Sequence, residues 1–119
     1  AGKQGYSKFG SYVGNGNANG AFVYLGFKPA WLMVKSTASG QNWYIQDNTR
    51  SAINPVKNEL AANLADAEYT GYSPADFLSN GVKFRSATGG YNASGTTYIY
   101  MAFSSSPFTT STGIPTTAR

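Results

Sequence analysis

Apolar residues alternate with polar ones along much of this chain, and glycine and asparagine interrupt the runs. That period of two predicts β-strands joined by tight turns. "YVGNGNANGAFVYLGF" reads as strand, loop and strand, with the loop at Gly14 to Gly20. Asparagine and glycine tolerate the positive φ that such connections need. "FVYLGF" is apolar at both phases, which predicts burial on both sides. After Pro29, "WLMVKST" is a strong strand, with Trp31, Met33 and Lys35 on one face and Leu32, Val34 and Ser36 on the other. "NWYIQDN" sets Trp43, Ile45 and Asp47 on one face and pairs with it as a hairpin across "TASGQN".

Further on, "DFLSNGVKFR" carries Asn80-Gly81 between apolar segments, a hairpin signal. Val82 and Phe84 then face one way, and Lys83 and Arg85 the other. "TTYIYMAF" opposes Ile99, Met101 and Phe103 to Tyr98 and Tyr100. Both faces of this strand are apolar, which predicts a central strand or one that lines a subunit contact. The weakest β pattern is "TRSAINPVKNELAANLADAEYTGYSPA", where Leu60 and Leu64 stand four apart. Asn54-Pro55 there opens either a short helix or a long irregular crossover. Several short strands without a βαβ rhythm predict an all-β fold, an antiparallel β-sandwich or jelly-roll-like single domain with at most one short helix. Residues 1–10 read as a linker or edge strand, 11–103 as the β-sandwich domain, and the Ser/Thr/Pro-rich 104–119 as a tail that wraps the surface or is mobile.

Composition narrows the chemistry. The 119 residues fit one domain, and 41% hydrophobic with 15% aromatic content excludes a disordered chain. Charged residues make up only 12%, about half the usual share. Ser, Thr, Asn and Gly therefore carry the solvated face, as on β-proteins that pack against their own copies. The net charge is +4, with the nine basic residues scattered, so no nucleic-acid footprint is drawn. A mildly basic balance favours anionic surfaces such as envelope polysaccharides. There is no histidine and no cysteine, which removes a Ser-His-Asp triad, a Cys-His pair, disulfides and most zinc, iron and copper sites. No metal or cofactor is expected. No apolar run reaches membrane-span length, so no membrane insertion is expected. The chain opens without methionine and reads as a fragment or a processed product.

Few residues are candidates for a site. Asp47 and Arg50 are spaced for a local carboxylate–guanidinium fork, read as a structural ion pair ahead of a ligand pair. Trp31, Trp43, Tyr44, Tyr98 and Tyr100 read first as sandwich core and subunit interface. Their functional alternative is a stacking platform for sugars, with Trp43 and Tyr44 as its groups. "GNGNANG" lacks the Gly-Lys-Ser/Thr ending of a phosphate loop. Asn15 and Asn17 in that loop, and Asn92 in the loop Thr88 to Ser94, are candidate ligand contacts because loops carry function. Asn92-Ala93-Ser94 also matches a glycosylation sequon, read as chance. The acids Asp47, Glu59, Asp66, Glu68 and Asp76 nominate no glycosidase pair, so the chain is read as a non-enzyme.

Five segments stand in one order: "GFKPAWLMVK", "NWYIQDNTR", "NPVKNELAANLADAE", "FLSNGVKFR" and "NASGTTYIYMAF". Over residues 11 to 119 this series resembles the C-terminal β-rich domain of tailed-bacteriophage structural, tail-fibre-like proteins. Its marks there are a GF-x-P-x-W/F strand, a W/F-x-x-x-D-x-x-R segment, an NGF hairpin and a closing aromatic strand. Val82 departs from the aromatic of that hairpin and shrinks one core contact. The resemblance implies a virion structural role without catalytic residues, in a particle made in the bacterial cytoplasm. The expected partners are copies of itself, as a homotrimer, other virion proteins, and a host-surface glycan bound through several weak sites. The alternative is a capsid or tail decoration domain that stabilises the particle and binds no receptor. A carbohydrate-binding module of a secreted enzyme would need a catalytic domain upstream.

Overall fold

The computed structural model describes residues 2–106 and Thr112, with the backbone alone at residues 72 and 73. Eight strands form one sheet: β1 (Ser7–Val13), β2 (Phe22–Tyr24), β3 (Pro29–Ser36), β4 (Trp43–Asp47), β5 (Val56–Ala61), β6 (Tyr69–Leu78), β7 (Gly81–Phe84) and β8 (Thr97–Ser104). Their order is β1-β8-β3-β4-β5-β6-β7-β2, and every pair is antiparallel. The fold is all-β, with no helix among the described residues.

The sheet curls until its two edge strands nearly meet. Lys8 Nζ on β1 donates to the Tyr24 carbonyl on β2 at 3.1 Å, and the ammonium stands 5.1 Å from the Tyr24 ring centre. Inside, Tyr12 of β1 stacks on Phe84 of β7 at 5.0 Å and on Tyr98 of β8 at 5.1 Å. The core thus joins strands that are far apart in sheet order, as a barrel-like closed sheet requires. Leu32 and Val34 from β3, Phe77 from β6, Val82 and Phe84 from β7, and Tyr98 and Ala102 from β8 fill it. Strand alternation puts these inside and their neighbours outside. Tyr12 is held under this roof, and burial pushes its hydroxyl well above the ordinary tyrosine range.

The β3–β4 hairpin forms as the pattern predicts, with Met33 opposite Ile45. β8 lies between β1 and β3, which is the central place its two apolar faces predicted. The β6–β7 hairpin also forms, but Leu78 pairs with Gly81, so Ser79 and Asn80 make the turn instead of Asn80-Gly81. Gly81 has another task. A Cβ there would run into the Val23 carbonyl oxygen, so the glycine lets β2 lie against β7.

Three expectations are corrected. "FVYLGF" is not buried on both faces: β2 is a three-residue edge strand with Phe22 and Tyr24 exposed and Val23 inside. The Asn54-Pro55 segment opens neither a helix nor an irregular crossover but leads into β5 and β6. There Val56, Glu59 and Ala61 point inward, because the register shifts between Val56 and Asn58 and stretches one inward interval to three residues. The Asn54 amide brackets the Phe77 backbone, with both hydrogen bonds at 2.9 Å, and so fixes the entry to β5. Finally, Trp43 is not core: it is 40% exposed on the outer face. The expected Ser/Thr/Pro-rich tail lies outside the described residues from 107 on, apart from Thr112.

Candidate functional site

Two surfaces gather the side chains that could do work. The first is the outer face of β1-β8-β3-β4. Phe103 of β8 is its hub, with Tyr6 at 6.2 Å and Phe9 at 6.1 Å, both edge-on, and Trp31 at 5.6 Å. Phe9, Met33, Lys35, Trp43, Ile99 and Met101 line an adjoining groove of about 330 Å³. Tyr6, Phe9, Trp43 and Ile99 are each 40 to 47% exposed. Lys35 is the one charge in this groove, and its Nζ is turned onto the Ser36 carbonyl at 2.6 Å. These residues face outward because their strand neighbours Leu32, Val34, Tyr98, Tyr100 and Ala102 take the core.

The second surface is a cleft of about 330 Å³ at one barrel end, between β4, β5 and β6 and the β7–β8 loop. Gln41, Tyr44, Glu59, Tyr69 and the Thr88–Gly90 stretch line it. Glu59 pairs with Gln46 on β4 and Tyr69 on β6, so strand register brings the acid and the ring to one inner face. Tyr44 stacks on Tyr91 at 5.3 Å. A Cβ at Gly90 would come within 2.6 Å of the Tyr44 ring, so only glycine allows the loop this close. Glu59 is 3% exposed, and its Oε2 has no partner in hydrogen-bonding geometry. Burial pushes its carboxyl above the ordinary range, and the facing Tyr91 hydroxyl offsets this only in part. Tyr69 donates its hydroxyl to Asp66, a bond that pushes the phenol up to about 12.

The loop over this end is tied down from inside the barrel. Tyr12 donates to the Tyr91 carbonyl at 2.6 Å. Tyr98 donates to the Gly89 carbonyl at 2.7 Å and accepts the Ala93 N–H at 2.8 Å. Asn92 is fully buried. Its Oδ1 accepts the Asn15 N–H at 3.0 Å, and its Nδ2 donates among Asn15 Oδ1, the Asn17 carbonyl and the Ser86 carbonyl at 2.8 to 2.9 Å. The structure therefore brings Asn15, Asn17 and Asn92 together, joining the two candidate loops. Asn92 offers no surface to a ligand, while Asn15 and Asn17 remain exposed around successive side-chain-to-backbone turns.

The chain matches the model of a family described as a domain of unknown function (DUF7483) over residues 1–107. It belongs to that family. The match spans all eight strands, so the apolar outer face and the cleft both lie within the family's domain. Neither the curated proteins nor the solved structures include a match to the chain.

Trp43 and Tyr44, adjacent in sequence, do not share a site: the first lies on the outer face and the second in the cleft. Asp47 and Arg50 do form their ion pair, Nε to Oδ2 at 2.5 Å, and Arg50 also reaches Glu68 at 2.7 Å. Partial burial pushes the Asp47 carboxyl up, but hydrogen bonds from the Arg50 backbone and side chain and from the Thr49 backbone outweigh it and hold it below its ordinary value. Asp76 pairs with Arg85 at 2.6 Å. Sequence reasoning missed Phe9 and Glu59 as site residues. Phe9 could have been placed by extending the β1 alternation two residues before Ser11. Glu59 lay in the segment whose β pattern is broken by the register shift.

Proposed function

We propose that this chain is a non-enzymatic structural module of a phage virion, a tail-fibre or appendage domain that assembles with copies of itself and contributes to host-surface recognition. The observation that carries this reading is the uncovered apolar face of β1-β8-β3-β4. The largest apolar patch on a typical monomer covers about 300–600 Å² and is often functional, and patches rimmed by polar residues mark interaction sites. With about 200 Å² per large side chain, the exposed parts of Tyr6, Phe9, Trp43 and Ile99 contribute roughly 350 Å². A standard interface buries about 800 Å² per partner, with an apolar centre and a polar rim. The patch is of the size for part of that centre. A second copy is its occupant because low overall charge leaves few repulsions between identical faces. A homotrimer is the assembly that the tail-fibre resemblance favours.

The acids support a role without catalysis. Asp47 and Glu68 are tied to Arg50, Asp76 to Arg85, and Asp66 to Tyr69, which leaves no pair of carboxyls across one cleft. An open cleft and exposed Asn15 and Asn17, none of which lines the apolar groove, favour recognition over decoration alone. Glycan-array binding by a sample of known solution mass tests the reading. An assembled domain that binds envelope glycans is the expected result. An assembled domain that binds none would replace it with the decoration role, and a monomer that binds none would overturn both.

A further inference from the structure

The cleft at the barrel end has a buried acid without a basic partner. Glu59 is its one ionisable acid, and no Lys or Arg lines it. Tyr44 and Gln46 from β4, Tyr69 from β6 and Tyr91 from the β7–β8 loop surround the carboxyl. A further acid, Asp66, is reached through the Tyr69 hydroxyl. Arg50, the basic group of this region, is already held by Asp47 and Glu68. Buried carboxylates are normally paired or bound to a metal. A metal ion needs several ligands, and no cluster of three metal-binding side chains occurs among the described residues.

Burial favours the neutral form of this carboxyl, and whenever it ionises a cation from outside supplies the missing counter-charge. We propose that the cleft binds a primary ammonium group on a small organic body, with Glu59 as its charge partner and the rings of Tyr44 and Tyr69 as its walls. Aromatic faces attract cations through their quadrupole, and the effect grows when the cation is desolvated. An ammonium also donates hydrogen bonds, which suits the unpartnered Glu59 Oε2. Phosphates and acidic sugars are disfavoured, because they would face a negative floor with no basic residue. A neutral sugar could donate a hydroxyl but would leave the charge uncompensated. The volume of about 330 Å³ is at the small end of ligand sites and suits one sugar-sized group. This site stands on its own geometry and does not depend on assembly or on a virion role.

Amide chemical shifts of the full chain, followed during titration, test the proposal. The probes are butylammonium and glucosamine, each beside its neutral counterpart, butanol and glucose. Both cations should shift the Gly89, Gly90 and Tyr69 amides saturably, with affinities on the order of millimolar. Tighter binding of glucosamine assigns an amino sugar as the source of the ammonium, and tighter butylammonium a simple alkylamine. Glu59→Gln should weaken both by about tenfold or more. Acidification through the raised Glu59 range should weaken both in the wild type. Ile99→Lys, on the outer face, should bind the cations unchanged, which separates this site from assembly. Neutral probes that bind as well as the cations would overturn the proposal without relying on any variant. So would the absence of saturable shifts, or full affinity in Glu59→Gln.

Discussion

Replacing Asn92 by alanine should loosen the whole loop end of the barrel. The side chain is fully buried and meets four partners: the Asn15 N–H, Asn15 Oδ1, and the carbonyls of Asn17 and Ser86. Each hydrogen bond contributes about 1 kcal/mol net, and a buried group left unpaired costs about 1–3 kcal/mol. Water can reach the exposed Asn15 and Asn17 side, so those losses are partial. The Ser86 carbonyl is half-buried and is less easily compensated. Together these give a loss of about 2–3 kcal/mol. For a domain of this size that is on the order of a 10 °C fall in Tm. Urea unfolding followed by tryptophan fluorescence should show a lower midpoint with an unchanged slope. Asn15→Ala should cost less alone, and the pair should couple by about 1 kcal/mol because the Asn92 Nδ2 to Asn15 Oδ1 hydrogen bond is lost in either variant, while the Asn15 N–H bond is lost only with Asn92. A loss below about 0.5 kcal/mol for Asn92→Ala, in the range of an ordinary surface change, would refute the reasoning. So would strict additivity of the two changes.

Three further outcomes follow from the same structure. Gly81→Ala should cost about 2–3 kcal/mol, because its methyl group meets the Val23 carbonyl and must push β2 off β7; hydrogen exchange should rise first at Val23 and Tyr24. Asp47→Asn should cost about 1 kcal/mol at neutral pH, since its partners are only partly buried. The Asp47 carboxyl is held low, so its contribution is present above its ordinary value of 3.8 and disappears as pH falls through the lower folded value; acid titration of Asp47→Asn should lack that step. The Glu59 carboxyl is held high, so the folded state is favoured below its ordinary value of 4.5 and loses that advantage as pH rises through the folded value. Glu59→Gln should therefore be more stable than the wild type near neutrality, and the gain should vanish in acid. An equal gain at both pH values would contradict this assignment.

Strand alternation makes much of the fold legible in the sequence. The β3–β4 hairpin, the inward Val82 and Phe84, and the central β8 all follow from period two. The same alternation separates Trp43 from Tyr44, although their adjacency invited one shared site. What stayed hidden has physical causes. The register shift in β5 puts Val56 and Glu59 three residues apart on one face, which mimics a helical interval. β2 ends the sheet order as a three-residue strand, and alternation about inward Val23 leaves apolar Phe22 and Tyr24 exposed. The burial of Asn92 depends on two loops 77 residues apart in the chain meeting at Asn15, and no local pattern encodes that.

The central claim is that the outer face of β1-β8-β3-β4 is covered by another copy of this chain. Sedimentation velocity of the wild type and of Ile99→Lys tests it most directly. The wild type should run as a multiple of its 12.6 kDa mass, and as a trimer if the fibre-like assembly is right. The variant should run as a folded monomer, since Ile99 is 44% exposed and lies outside the buried core cluster. A wild type that stays monomeric at micromolar concentration, or a variant that assembles just as well, would contradict the claim.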